Sequence, residues 1–190
     1  MEIGRNEQKA TAWVNDYSDM LYSYVVQRVK DTHIAKDLVQ ETFLGAWRNI
    51  DKYNGEASVK TWLFTILKNK IIDHYRKAST RLTDELAEGE KDEFVFFDSA
   101  NHWDKNAYPM DWGTKPAGNL ESKEFYSILG KCKNKLKEIQ AAVFNLKYIE
   151  DLSSEEICKE LNISASNYWV LIHRAKIQLR SCLESNWMLK

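Results

Sequence analysis

Between Ile34 and Lys77 the apolar side chains return every three or four residues, in two runs separated by one short polar turn. That spacing is the period of a helix with one face turned to a core, so the stretch reads as two packed amphipathic helices. Val39, Phe43, Ala46, Trp47 and Ile50 form the inward stripe of the first run, and Val59, Trp62, Leu63, Ile66, Leu67 and Ile71 that of the second. Each helix carries another ordered stripe that packing does not require. On the first it is Asp37, Gln40, Glu41, Leu44 and Arg48; on the second it is Thr65, Asn69, Asp73 and Arg76, with Lys60, Lys68, Lys70 and Lys77 nearby. Side chains three and four apart are neighbours, so a single partner can meet each set.

Upstream, Trp13, Tyr17, Met20, Leu21, Tyr24 and Val25 keep the same spacing and predict a helix over about 7–30 that packs on the two inward stripes. Asp31 and Thr32 interrupt it, with Thr32 the expected cap of the next helix. Residues 51–58, DKYNGEAS, hold Asn-Gly and no apolar period, which predicts a turn. Tyr53, Asn54 and Lys60 around it, beside Trp62, read from the residues alone either as an ordinary surface turn next to a packed ring or as a ring for an unstacked base and a cation for its phosphate. Trp62 itself is expected to be mainly structural, as aromatic rings usually are.

Periodicity is lost over 79–119. TDELAEGEKDEF is acidic, and Pro109, Pro116, Gly113 and Gly118 fall here, so the segment reads as a linker between domains. Phe94, Phe96, Phe97, Trp103, Tyr108 and Trp112 make it too apolar for a purely solvated tether, and docking is expected. His102 and Asp104 are two residues and no metal site.

Helical spacing resumes with Phe125, Ile128, Leu129, Cys132 and Leu136, then Ala142, Val143, Leu146 and Ile149, which predicts two helices parted near 137–139. Ser153 followed by Glu156 is a capping box that starts a short helix at Ser154, burying Ile157 and Leu161. After the tight turn Asn162-Ile163-Ser164, Ser164 caps a longer helix to about Leu183 with Tyr168, Ile172, Ala175 and Leu179 inward. A short helix, a brief turn and a longer helix make a helix-turn-helix. Ser166, Asn167, Trp169, Val170, His173, Arg174 and Lys176 lie on the exposed and N-terminal part of the longer helix. In this motif such positions meet base edges in the major groove, with cations on the phosphates.

The fold class expected is all-α: two small helical domains, 7–78 and 120–187, joined by the acidic linker 79–119. Only 7 Gly and 2 Pro in 190 residues agree with that. The net charge of −1 conceals mildly basic ends around the acidic middle, a distribution that permits nucleic-acid binding without announcing it. There is neither a signal-peptide core nor an apolar run of roughly 18 residues, which predicts a cytoplasmic protein. Cys132, Cys158 and Cys182 lack a C-x-x-C pair, so reduced, packed thiols and no metal are expected. Four scattered histidines, no nucleophile elbow and no phosphate-cradling glycine loop argue against an enzyme and against a cofactor.

DLVQETF, then TWLF, then the spacing of Asn69, Asp73 and Arg76 resemble the core-binding and promoter-melting helices of bacterial sigma factors of the extracytoplasmic-function group. His173-Arg174-Ala175-Lys176, with Leu179-Arg180 beyond, resembles the domain of that family that reads the −35 promoter element. The resemblance implies a core-polymerase-binding face of Asp37, Gln40, Glu41 and Leu44. It implies a −10 DNA-binding set of Tyr53, Asn54, Lys60, Asn69, Asp73 and Arg76, and a −35 set of Ser166, Asn167, Trp169, Val170, His173, Arg174 and Lys176. It further implies core RNA polymerase, promoter DNA and an anti-sigma factor as partners, and a linker that runs through channels RNA later occupies. Members often carry a basic residue near the start of the recognition helix, where this chain has Trp169 and Val170. Contact with thymine methyls, or a contact from Trp169 to a protein, are the two readings of that departure. The alternative to a sigma factor is a stand-alone helix-turn-helix regulator with residues 1–80 as a ligand or dimer domain. That reading leaves the Asp37–Leu44 face unexplained.

Overall fold

The computed structural model describes the backbone of residues 2–82 and 119–188 and the side chains of 8–80 and 123–187. The linker proper, with its prolines, its aromatic residues, His102 and Asp104, lies outside the described residues. The described residues are helical and include no strand. Three helices, α1 (Glu2–Val26), α2 (Thr32–Arg48) and α3 (Val59–Leu82), precede the linker. Four follow it: α4 (Asn119–Lys133), α5 (Glu138–Tyr148), α6 (Ser154–Leu161) and α7 (Ala165–Leu183). The chain divides into two compact units, Met1–Lys77 and Ala78–Lys190.

In the first unit Leu21 and Val25 of α1, Ala35 and Ala46 of α2, and Leu63 and Leu67 of α3 are fully buried. Burying each leucine contributes about 1.5–3 kcal/mol, and this shared interior is what holds the helices together. α1 stops at Val26, short of the expected 30, because the Val25 carbonyl accepts from both Arg28 and Val29 N–H and closes the helix in a turn. The cap of α2 is Asp31 rather than Thr32: its carboxylate accepts from the N–H of His33 at 2.7 Å and of Ile34 at 3.3 Å. The inward stripe of α2 is also rotated from the expected one. Ala35, Leu38, Val39, Thr42 and Ala46 are buried, whereas Trp47 is 37% exposed. Thr42 tolerates burial because its hydroxyl donates to the Leu38 carbonyl at 2.7 Å, leaving no unpaired polar atom. Met20, expected inside, is exposed. The inward stripe of α3 stands, with Leu63, Leu67 and Ile71 buried, and Tyr75 extends it.

In the second unit the helix-turn-helix forms as its caps dictate. The Ser153 hydroxyl accepts from Glu156 N–H at 3.2 Å while Glu156 accepts from Ser153 N–H at 2.8 Å, starting α6. Asn162 ends it in the left-handed conformation, φ 54°, one of the few places an asparagine takes readily. The Ser164 hydroxyl then accepts from Asn167 N–H at 3.1 Å and starts α7. Beneath the motif α5 supplies Ala142, Val143 and Leu146, all buried.

One expectation fails here. Cys132 and Cys182 are not reduced thiols but form a disulfide across 50 residues of sequence, joining α4 to α7. Cys158 remains a free thiol.

Candidate nucleic-acid interface

The outer face of α2 is as the sequence suggests. Asp37, Gln40 and Glu41 are exposed, and Leu44, an apolar side chain, is 54% exposed in their midst. Because α2 buries its other side, these four side chains point away from the unit's core. Glu41 is not wholly available, since its carboxylate meets the Lys70 ammonium of α3 at 3.1 Å.

The turn before α3 is built outward from an aromatic stack. Tyr53 lies on Trp62 with ring centroids 4.8 Å apart and planes at 27°. Trp13 meets both rings edge-on, at 6.4 Å from Tyr53 and 5.7 Å from Trp62. The Tyr53 hydroxyl donates to the Ala57 carbonyl at 2.6 Å and closes the loop over itself. Asn54 accepts from Glu56 N–H at 3.2 Å, and Gly55 sits at φ 79°, a conformation that favours glycine. Ser58 caps α3 by accepting from Thr61 N–H at 3.1 Å. One face of the Tyr53 ring is therefore spent on Trp62, while Asn54, Gly55 and Glu56 are exposed at the tip. Lys60, Asn69 and Asp73 are exposed, and Arg76 is half-buried. Asp73 pairs with Arg76 at 2.9 Å, so these two residues of the expected set form one polar unit.

Sequence reasoning passed over one feature of this unit. Gly45, Arg48, Asn49, Lys52, Trp62, Ile66 and Lys70 line an open cavity of about 470 Å³ where α2, the turn and α3 meet. Three cations, Arg48, Lys52 and Lys70, are among its lining residues beside the apolar Trp62 and Ile66, and Lys70 is the one paired with Glu41. Arg48 on the outer stripe of α2 was the available signal, and Lys52 gave none because it lies in an aperiodic turn.

On α7, Tyr168, Leu171, Ile172 and Ala175 are buried, which fixes the rotation of the helix. The opposite side carries Ser166, Trp169, Val170, His173 and Lys176, all exposed, with Asn167 and Arg174 half-buried at its edges. Trp169 is 62% exposed and Val170 37%, so neither fills the domain's interior. Trp169 touches the Tyr168 ring edge-on at 5.2 Å. Burial, reinforced by Tyr148 and Cys158, pushes the Tyr168 hydroxyl up. Lys176 rests over the ring of Tyr148 with its ammonium 5.7 Å from the centroid. Tyr148, itself 50% exposed at the end of α5, went unnoticed because it stands outside the motif. A ring beneath a cation restrains it while leaving it charged towards solvent. All seven residues expected on this helix are thus gathered on one side or its margins.

A three-helix unit with a closed aromatic turn and a second unit ending in a capped helix-turn-helix define a two-unit helical DNA-binding protein. Residues 13–81 match the family described as sigma-70 region 2, and residues 126–179 match sigma-70 region 4. A probable RNA polymerase sigma factor of Haemophilus influenzae is 36% identical over 86% of this chain and 84% of its own. The extracytoplasmic-function sigma factor SigW of Bacillus subtilis is 29% identical over 96% of this chain and 93% of its own. The sigma factor RpoE, in a structure with the anti-sigma factor NepR from Bartonella quintana, is 21% identical over 95% of this chain and 97% of that one, at a TM-score of 0.44. The chain belongs to the extracytoplasmic-function group of the sigma-70 family of RNA polymerase sigma factors.

Proposed function

We propose that this sigma factor divides initiation between its two units, and that the residues named above carry the division. It binds core RNA polymerase and directs it to promoters, adding sequence specificity and strand separation rather than covalent chemistry. The reading rests on one observation: region 2 and region 4 matches stand in order on one chain, each on its own helical unit. A stand-alone regulator, with residues 1–80 as a ligand or dimer domain, would leave the match of 13–81 to sigma-70 region 2 unexplained.

Within the first unit, 7–78 in this assignment, Asp37, Gln40, Glu41 and Leu44 dock on core polymerase. Their exposure on a side of α2 that packing does not use supports this, and Leu44 supplies an apolar contact for a partner to cover. The turn around Tyr53 and Asn54, with Lys60, Asn69 and the Asp73–Arg76 pair, takes the −10 non-template strand. A carboxylate such as Asp73 suits a cytosine amino group better than a phosphate. In the second unit, 120–187, the exposed side of α7 enters the major groove at the −35 element. Trp169 and Val170 favour thymine methyls there, and Lys176 holds a phosphate. The linker 79–119 connects these tasks.

The protein acts in the cytoplasm, where core polymerase works, and among the described residues no helix is long and apolar enough to cross a membrane. An anti-sigma protein holds it in reserve until an envelope or stress signal arrives; the exposed Leu44 and Trp169 are apolar surface such a partner can cover. The test is run-off transcription with purified core polymerase on a promoter library. Transcripts that need both this protein and core support the reading. DNA binding without any polymerase dependence would return the chain to the stand-alone class.

A further inference from the structure

The disulfide between α4 and α7 has no part in the reading above, and its surroundings are asymmetric. Cys132 is 2% exposed and lies in a closed apolar cluster with Leu136, Ala141, Ala175, Leu179 and Leu183. Cys182 is only half-buried at the rim, where the Asn186 amide donates to its carbonyl at 2.7 Å and approaches its sulfur at 3.7 Å. Of the two cysteines, Cys182 is the less buried, which makes its sulfur the one for an incoming thiolate to attack and Cys132 the leaving sulfur in the core. Around the bond, α4 is held by half-buried contacts: Phe125, Ile128 and Leu129 pack on the cluster, and Phe125 meets Trp187 edge-on at 5.7 Å. The N-terminal half of α7 is held differently. It packs on α5 and α6 through Leu171 and Ile172, 2% and 3% exposed, well away from the bond.

We propose that Cys132 and Cys182 form a reversible thiol–disulfide site whose redox state sets how firmly α4 is docked on α7, leaving the DNA-reading half of α7 in place. A dithiol reductant supplies the first direction. Its thiolate attacks the Cys182 sulfur, the sulfur–sulfur bond breaks, and Cys132 departs as a thiolate that takes up a proton. The reductant's second thiol then closes its own disulfide and releases Cys182 as a thiol. A hydroperoxide supplies the return: one thiolate becomes a sulfenic acid with loss of an alcohol or water, and the other thiol displaces water to restore the bond. Cys158 is a spectator, since burial and the neighbouring Glu155 push its thiol up and keep it in the less reactive protonated form. In the reduced state the cross-link over 50 residues is gone and α4 is held only by its half-buried contacts and the packed Cys132 side chain, so it opens locally before the rest of the unit.

The test uses the full-length protein, alkylated and analysed by mass spectrometry, then followed by amide hydrogen exchange. After hydroperoxide, Cys158 alone should alkylate in the native state; after dithiothreitol, two further thiols should become available on unfolding. Reduction should speed exchange in 123–133 and 179–187 by tenfold or more, with 165–175 changed less than twofold, and hydroperoxide should reverse it. The Cys132→Ser/Cys182→Ser variant should show the reduced pattern in either condition; should it fail to fold, the reduced wild-type chain gives the same reading. Three thiols still alkylatable in unfolded, peroxide-treated protein would overturn the proposal. So would an exchange increase spread evenly through α5, α6 and α7, which would make the bond a general staple.

Discussion

The Tyr75 hydroxyl on α3 donates to the carbonyl oxygen of Arg28, 47 residues away, at 2.7 Å. Arg28 lies just past the end of α1, where its guanidinium sits 3.3 Å over the Tyr24 ring and donates to the Tyr24 carbonyl at 2.9 Å. One bond thus fastens the chain just past α1 to the C-terminal third of α3 and fixes where the chain turns into α2. Tyr75 is 2% exposed, so its ring packs whether or not the hydroxyl is present. Tyr75→Phe should cost about 1 kcal/mol, the usual contribution of such a bond. Urea unfolding of wild type and variant, read by circular dichroism, checks this. An equal midpoint would show that water satisfies the carbonyl as well.

Polymerase binding should be separable from stability. Asp37 and Gln40 are exposed on α2, so replacing both with Arg should change the unfolding free energy by no more than about 0.5 kcal/mol, as surface substitutions do. Affinity for core polymerase, measured by fluorescence anisotropy, should fall at least tenfold. Glu41→Gln removes the pair with Lys70, whose side chains are 54% and 34% exposed, and should alter stability little because such pairs contribute about 0–1 kcal/mol. Normal core affinity in the double variant would move the docking face off α2.

The recognition helix should show three distinguishable losses. Arg174→Ala should cost roughly 1–3 kcal/mol and relax preference at one or two base pairs, if Arg174 meets a base edge. Lys176→Ala should weaken binding to all sequences alike and lower the salt slope by about 1, and Tyr148→Leu, which removes the ring beneath Lys176, should do the same more weakly. Trp169→Ala should leave stability nearly unchanged, because the ring is 62% exposed, and should reduce discrimination for thymine. Competition binding on a set of −35 variants at several salt concentrations reads all three. An unaltered sequence preference in Trp169→Ala, joined to weaker binding of a partner protein, would assign the ring to a protein contact instead.

Acid should act on the helix-turn-helix through its first cap. Hydrogen bonds from the Ser153 backbone N–H and then its hydroxyl lower the Glu156 carboxyl below its ordinary range in the folded state. A depressed folded value means that the stabilisation is present above the unfolded value and is lost as pH falls through the folded one. Glu156→Gln, which cannot ionise, should therefore lag wild type at neutral pH and draw level in acid. Unfolding midpoints of the second unit across pH 2–7, on the scale where carboxylates titrate, test it. A constant gap at every pH would leave the charge of Glu156 without a role. Ser153→Ala should lose about 1 kcal/mol, the common cost of removing a cap.

What the sequence disclosed follows how local each signal is. The capping box of Ser153 and Glu156, the Asn162 turn and the Ser164 cap involve residues within three positions of one another, and each was legible before any coordinate. The rotation of α2 was less so. Trp47 looks like a core residue and Thr42 does not, yet the threonine is buried because its own helix satisfies its hydroxyl. Polarity patterns cannot register such a bond. Asp31 displaced Thr32 as cap by one position, which is the scale on which helix ends are ambiguous. Cys132–Cys182 was out of reach, since pairing across 50 residues depends on how α4 and α7 cross and not on spacing. Likewise Lys176 was visible as a cation, but the Tyr148 ring that holds it was not.

Along α7 the exposed pair Trp169 and Val170 stands between Tyr168 and Leu171, both buried at 2%. In the function proposed here, the side chains that meet DNA and those that fold the unit are thus interspersed along one helix. A descendant can exchange Ser166, Trp169, Val170 or His173 without disturbing the interior, because substitutions at exposed positions usually leave stability within about 0.5 kcal/mol. Duplicated copies of such a gene can therefore drift towards new promoter dialects one residue at a time, each intermediate still folded and still able to compete for polymerase.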